Sequence, residues 1–148
     1  MPIDFKIDFP EGEWKNLISK IKGAAKLSIK YTAIDVWGNI RRNSPVNHGR
    51  LAGSFALSQL EEFAWKIHSS VKYALAVHEG TGLYGPEKRK FEIRPVKKKA
   101  LYWKGAPHPV KKVMHPGQKP NPFVEKSIDQ TTGRLDEFVR RAISETVD

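Results

Sequence analysis

The apolar positions at the start of the chain follow two different periods. Over residues 1–12 apolar and polar side chains alternate until a proline and a glycine follow, which predicts an extended arm or strand. Over residues 13–42 the apolar positions recur every three or four residues, which predicts one long helix. Gly23 and Gly38 interrupt that pattern, so we expect a kink or break near one of them. The predicted face is Trp14, Leu17, Ile18, Ile21, Ala24, Ala25, Ser28, Tyr31, Ile34 and Trp37.

The segment SPVNHGRLAGSF, residues 44–55, separates this helix from the first strand pattern. Pro45 disfavours helix at the residue before it, and Asn47 and Gly49 tolerate positive φ. Leu51 supplies an apolar anchor. The segment therefore predicts a corner at which the helix ends and a sheet begins.

Residues 55–67 alternate on both sides of Glu61 and Glu62, which predicts a β-hairpin. Residues 71–79 predict a short helix that Ser69 or Ser70 caps and a glycine ends. Further strands are expected at 91–95 and in a second hairpin that pairs 100–103 with 110–114.

A final helix is expected from the turn-rich segment that ends at Phe123. Asn121 fits its N-cap and Pro122 its first position, and the helix runs toward the terminus. Its apolar face is Phe123, Val124, Ile128, Leu135, Phe138, Val139, Ala142 and Ile143. The pattern predicts a single α+β domain over residues 1–148, with a mostly antiparallel sheet flanked by a long N-terminal helix and a C-terminal helix.

Positive charge is concentrated in residues 86–119, a basic hairpin or loop region. The chain has a formal net charge of +10, and Glu92 is the only acid between residues 88 and 119. This charge favours contact with a polyanion or an acidic protein surface, while a solvated lysine-rich loop is the alternative. The candidate contact residues are Lys88, Arg89, Lys90, Arg94, Lys97, Lys98, Lys99, Lys111 and Lys112.

Composition limits the possible chemistry. The chain has no cysteine, which excludes a disulfide framework, thiolate chemistry and the commonest zinc ligand sets. No apolar run is long enough for a membrane span and no signal-peptide pattern opens the chain, so we expect a soluble protein without membrane partners.

The histidines and aromatic residues do not form a convincing active site. No histidine has the neighbours of a metal site, and no phosphate loop or nucleophile elbow occurs. General acid–base chemistry by His48 or His78, as in small basic ribonucleases, is the surviving enzyme hypothesis. We predict no catalytic residue, cofactor or metal. The aromatics among the basic residues are expected in the core, with base stacking as the alternative: Tyr84, Phe91, Tyr102 and Trp103.

Three motifs follow the long leading helix. We name residues 44–55 the first motif, 73–82 the second and 115–123 the third. The residues that carry the pattern are Pro45, Gly49, Leu51, Ser54, Tyr73, Ala74, Glu79, Gly80, Thr81, His115, Pro116, Gly117, Pro122 and Phe123. The long helix followed by these motifs resembles the tail-completion or head-tail joining proteins of long-tailed bacteriophages, also called neck or minor tail proteins. Asn47 and His48 depart from the family pattern, which has Asp and Thr there.

The resemblance implies an α+β fold without enzymatic activity. It also implies a ring, typically a hexamer, at the head-proximal end of the tail, with head-connector and tail-tube proteins as partners and possible transient contact with phage DNA. Such a protein is made in the bacterial host cytoplasm and ends in the virion. Charge alone suggests the alternative, a basic nucleic-acid-binding protein or small ribonuclease toxin.

Overall fold

The computed structural model describes residues 10–46 and 48–147. These residues form a compact α+β fold with two small antiparallel sheets, which confirms the predicted class. The helices are α1 (Glu11–Asn43), α2 (Arg50–Ser54), α3 (Ala74–Glu79), α4 (Phe123–Thr132) and α5 (Leu135–Val147). The strands are β1 (Phe55–Glu61), β2 (Ala64–Ser69), β3 (Phe91–Ile93) and β4 (Val113–His115). Most of the predicted arm, residues 1–9, lies outside the described residues, but its last two residues, Glu11 and Gly12, are helical rather than extended.

Helix α1 is one continuous element of 33 residues, about 50 Å long. It runs through Gly23 and Gly38, so the expected break does not occur. Acidic residues in its first turn and basic residues in its last turn interact favourably with the helix dipole. It ends because Pro45 disfavours helix at Ser44, whose hydroxyl donates to the Ile40 carbonyl at 2.6 Å.

The predicted corner contains a short helix that the sequence pattern did not indicate. His48 and Gly49 both have positive φ, and α2 follows directly, while Asn47 lies outside the described residues. Leu51 within α2 is 3% exposed, as expected of an anchor. The first motif therefore leads through a turn into a single helical turn in which Leu51 is buried.

Replacing Gly49 with valine is expected to lower stability by about 1–2 kcal/mol, because its φ of +68° disfavours a β-branched side chain. Thermal denaturation measures the loss. Gly53→Val is the matched control, since Gly53 lies in helical α2 and also has open space around its Cβ position. Equal melting temperatures for the two variants would contradict this account of the corner.

The first hairpin is confirmed and the second is not. β1 and β2 pair antiparallel, with Leu57 opposite Ile67. β4 pairs with β3 rather than with residues 100–103, and Phe91 lies opposite His115. Leu101 and Val110 form only an isolated bridge inside the long β3–β4 connection. The basic region is thus a narrow two-stranded ribbon with a long loop.

The shorter helices begin later than predicted, and the last one is divided. Ser69 Oγ accepts from the Val71 amide at 3.1 Å but does not cap α3, which begins at Ala74. Pro122 occupies the N-cap position of α4. The predicted C-terminal helix breaks at Gly133 into α4 and α5.

The apolar core lies near the C-terminal end of α1. Ile40, Leu51 and Phe123 are buried together, and Phe55 packs edge-on against Phe123 with ring centroids 5.8 Å apart. Partly buried side chains complete this core: Val36, Phe55, Ile67, Ala74, Val77 and Val124. The predicted face of α1 is mostly exposed in its first half, so the core uses a different part of the helix.

A buried polar seam joins α1 to α4. Asn39 donates to Thr131 Oγ1 at 2.9 Å, and Thr131 donates to Asp35 Oδ2 at 2.9 Å. Arg134, just after α4, donates to Asp35 Oδ1 at 2.7 Å. Because buried polar groups are costly unless paired, this network fixes the register of the two helices.

Replacing Thr131 with valine keeps the shape of the side chain but removes the hydroxyl that Asn39 and Asp35 share. We expect a loss of about 1–3 kcal/mol, measured by urea denaturation. Thr132→Val is the control, because Thr132 is exposed and donates to a carbonyl of its own helix. Equal losses in both variants would show that the seam adds nothing.

Candidate functional site

Backbone hydrogen bonds join the second and third motifs side by side. The Thr81 amide donates to the Gln118 carbonyl at 2.9 Å, and the Gln118 amide donates to Thr81 Oγ1 at 3.0 Å. The Leu83 amide donates to the Pro116 carbonyl at 2.7 Å. We call this contact, residues 80–83 with 116–120, the motif junction.

Glycines make the motif junction possible. Gly80 has φ +80°, and a Cβ there would lie 2.8 Å from the Gln118 carbonyl oxygen. Gly117 has φ +98°, and a Cβ there would overlap the Thr81 carbonyl. Any side chain at either position would push the two segments apart. Both glycines belong to the residues that carry the family resemblance.

The first motif reaches the same region through the core. Leu51 packs with Phe123, the last residue of the third motif. The Asn121 amide donates to the carbonyls of Val77 and His78 at 3.1 Å. These hydrogen bonds hold the start of α4 against α3. A cavity of about 360 Å³ between the motifs is lined by Pro45, Leu51, Tyr73, Ala76, Val77 and Gln118.

The remaining motif residues have mixed surroundings. Ser54 Oγ contacts Ser69 Oγ at 2.7 Å and ties α2 to β2. His115 Nδ1 accepts from the Gly117 amide at 3.0 Å and shapes the third motif. Ala74 is half-buried beside the core. Most of the motif residues thus hold the fold together, whereas Tyr73 and Glu79 face solvent.

Among the described residues, the pair that most resembles a catalytic acid and base is His78 with Glu125. Their Nε2 and Oε2 atoms are 2.6 Å apart, and the imidazole packs edge-on against Phe123. The backbone amide of Glu125 and the His78 hydrogen bond lower the pKa of this carboxyl. Glu79, the sequence neighbour of His78, is not its partner. The pair links α3 to α4, and within the described residues no serine or threonine hydroxyl is hydrogen-bonded to it.

Other kinds of site have no support within residues 10–46 and 48–147. No group of three or more histidines and carboxylates there could hold a metal ion. None of the helices in that part of the chain has the length and apolar character needed to cross a bilayer.

The basic ribbon, residues 86–119, presents its charge to solvent. All nine candidate cations are exposed. Glu92 forms ion pairs with two of them, since its two carboxylate oxygens lie 2.5 Å from Arg94 and 3.2 Å from Lys112, and both contacts lower the pKa of the Glu92 carboxyl. Arg89 pairs with Glu87 at 2.9 Å. Among the described residues the other candidates have no ion-pair partner: Lys88, Lys90, Lys97, Lys98, Lys99 and Lys111.

The aromatic residues in and beside the ribbon are not core residues, so the favoured prediction is wrong. Tyr84, Phe91, Tyr102 and Trp103 are all exposed, and Tyr102 reaches 70%. The Phe91 ring lies 5.5 Å from that of His115, and Lys119 Nζ lies 5.9 Å from the Tyr84 ring centroid. The two-stranded ribbon has too little thickness to bury them.

The structure therefore separates two surfaces that the sequence singled out. The second and third motifs meet at the motif junction, the first motif contacts the third through Leu51 and Phe123, and the candidate cations lie on the ribbon that leaves this junction. The polar seam of α1 and α4 was missed, because Asp35, Asn39 and Thr131 do not belong to the apolar pattern of their helices.

Comparison of the chain with protein-family models, curated proteins and solved structures finds no match.

Proposed function

We propose that this protein is a structural component of a phage or prophage, which forms a ring at the head-proximal end of the tail and joins it to the head connector. The observation that supports this most is that the second and third motifs, chosen by resemblance alone, form one glycine-dependent junction. In this proposal the motif residues hold the fold together, and the structural role in the tail needs no catalytic residue.

The partners proposed for this role are copies of the chain itself in a hexameric ring, with head-connector and tail-tube proteins above and below. A ring arises when a heterologous contact repeats until it closes. The exposed basic ribbon supplies a surface for acidic neighbours or for passing DNA. In this proposal the protein is part of the assembled virion.

A second candidate, a basic nucleic-acid-binding protein, is favoured by the exposed aromatics of the ribbon. Aromatic rings interleaved with exposed lysines can stack on bases while the lysines contact phosphates. The ribonuclease version of this hypothesis rests on the His78–Glu125 pair. RNA cleavage by the purified protein would favour that version over the tail role.

Replacing Lys97, Lys98 and Lys99 together with glutamate is expected to weaken polyanion binding and head-tail joining without unfolding the protein. All three side chains are exposed, so stability should change by less than about 0.5 kcal/mol. Elution from heparin at a lower salt concentration measures the first effect. The control reverses three exposed lysines outside the ribbon, Lys66, Lys72 and Lys126. If the ribbon variant matches the control in heparin binding, ring formation and joining, the ribbon is not the contact surface.

Deletion of the gene from the phage or prophage that encodes it tests the proposed role. We expect negative-stain images of the lysate to show filled heads and separate tails, and expression of the intact chain in trans to restore infectious particles. Normal particles from the deletion strain would overturn the proposal.

A further inference from the structure

Helix α5 packs antiparallel along α1, and among the described residues part of one face of α1 stays uncovered. Arg134 reaches Asp35 at one end, and Lys20 Nζ donates to the Val147 carbonyl at 3.1 Å at the other. Residues 11–19 of α1 extend past the end of α5, by about 13 Å at 1.5 Å per residue. All nine of these residues are exposed.

An apolar stripe runs from this extension into a groove between α1 and α5. The groove has a volume of about 530 Å³ and a floor of small residues, Ala24, Ala25 and Ser28. The stripe consists of Leu17, Ile18, Ile21, Val139, Ile143 and Val147, each between 44% and 58% exposed.

The area of the stripe suits a protein interface. Its six side chains offer on the order of 500 Å² of apolar surface, as large as the patches that mark interaction sites on monomers. A standard interface uses roughly 800 Å² per partner, so the stripe with its polar rim approaches the size that a stable pair requires.

We propose that the stripe binds a second copy of this chain, with the two α1 helices antiparallel and crossing at Ile21. The order of residues along the stripe supports this occupant. In that register Leu17 lies at the level of Ala25 of the second copy, and Ile18 at the level of Ala24. Large residues of one end therefore meet small residues of the other, and the two-fold axis repeats both contacts. The pair is a four-helix arrangement of two α1 and two α5 helices.

This inference does not depend on the proposed tail role, whose contact surface for acidic neighbours or DNA was placed on the basic ribbon. A nucleic-acid-binding protein could pair through the same stripe. Failure of the pairing would leave the head-tail proposal standing, and loss of the head-tail role would leave the pairing standing.

The absence of native cysteines allows a direct test with the full-length chain. Helices whose axes lie about 9–10 Å apart bring facing Cα atoms within the roughly 4.4–6.8 Å range of a disulfide. Ile21→Cys should therefore form a covalent dimer under mild oxidation. Lys126→Cys, on the exposed side of α4, should stay mostly monomeric. A Leu17→Cys, Ala25→Cys double variant should also stop at the dimer, since both links join the same two chains.

Light scattering of the unmodified protein should give the mass of a dimer, and Ile21→Asp should weaken dimerisation at least 100-fold with its circular dichroism unchanged. Three results would overturn the proposal. They are a monomer at micromolar concentration, equal cross-linking of the Ile21→Cys and Lys126→Cys variants, and a ladder of higher oligomers from the double variant. If the monomer is found and dimerises once residues 2–9 are removed, the stripe belongs to that segment instead.

Discussion

Replacing Gly117 with alanine is expected to destabilise the protein by about 3 kcal/mol or more. The new Cβ would overlap the Thr81 carbonyl, where backbone and not a flexible side chain lies in the way, and φ is +98°. The motif junction would have to open, with loss of the hydrogen bonds between Thr81 and Gln118. Urea denaturation followed by circular dichroism measures the change.

Gly105→Ala is the matched control for this prediction. Gly105 has φ +100°, but nothing lies within 4 Å of its Cβ position. Its replacement should cost only the conformational strain, about 1–2 kcal/mol. If Gly117→Ala loses no more stability than Gly105→Ala, close backbone approach is not what requires glycine in the third motif.

Replacing Phe123 with alanine is expected to cost about 3–5 kcal/mol. The side chain is 2% exposed and touches the core residues of α1 and α2, the Phe55 ring and the His78 ring. Its removal leaves a cavity at the point where all three motifs meet. Denaturant titration gives the loss in the free energy of unfolding. A weaker dependence of that free energy on denaturant concentration would indicate that the motif junction also unfolds separately.

Phe63→Ala is the control for the core prediction, because Phe63 lies at the turn of the first hairpin and is 43% exposed. We expect its loss to change stability by less than about 1 kcal/mol. Similar losses at Phe63 and Phe123 would mean that the core is not centred where α1, α2 and α4 meet.

Local patterns were sufficient to predict the elements whose cause is local. The end of α1 follows from Pro45, the first hairpin from its alternation around Glu61, and the end of α3 from Gly80. Each of these depends on the conformational preferences of residues next to one another. The α+β class follows from the same evidence.

Elements that depend on distant partners were predicted less well. The pairing of β3 with β4 spans a long connection, so no local signal distinguishes it from the nested hairpin that we expected. Ile128 was assigned to the apolar face of the last helix but is exposed, whereas Ser127 is buried and its hydroxyl accepts a hydrogen bond from Asn43 on α1 at 2.9 Å. Polar residues become core residues only when a partner from elsewhere in the chain satisfies them.

The candidate site shows the same division. The motif order was readable from the sequence, but the contact of Gly117 with Thr81 was not, because it joins segments far apart in the chain. The exposure of Trp103 and Tyr102 could not be read either, since strand-like spacing does not reveal how many layers cover a strand. The positive charge of the ribbon follows from the sequence alone.

Electron microscopy of assembled tails that carry a labelled copy of this protein tests the central claim most directly. A compact C-terminal tag bound by a gold-conjugated reagent would mark its position, and untagged tails provide the background. The account predicts label at the head-proximal end of each tail. Tails without label, or with label along the tube or at the distal tip, would contradict it.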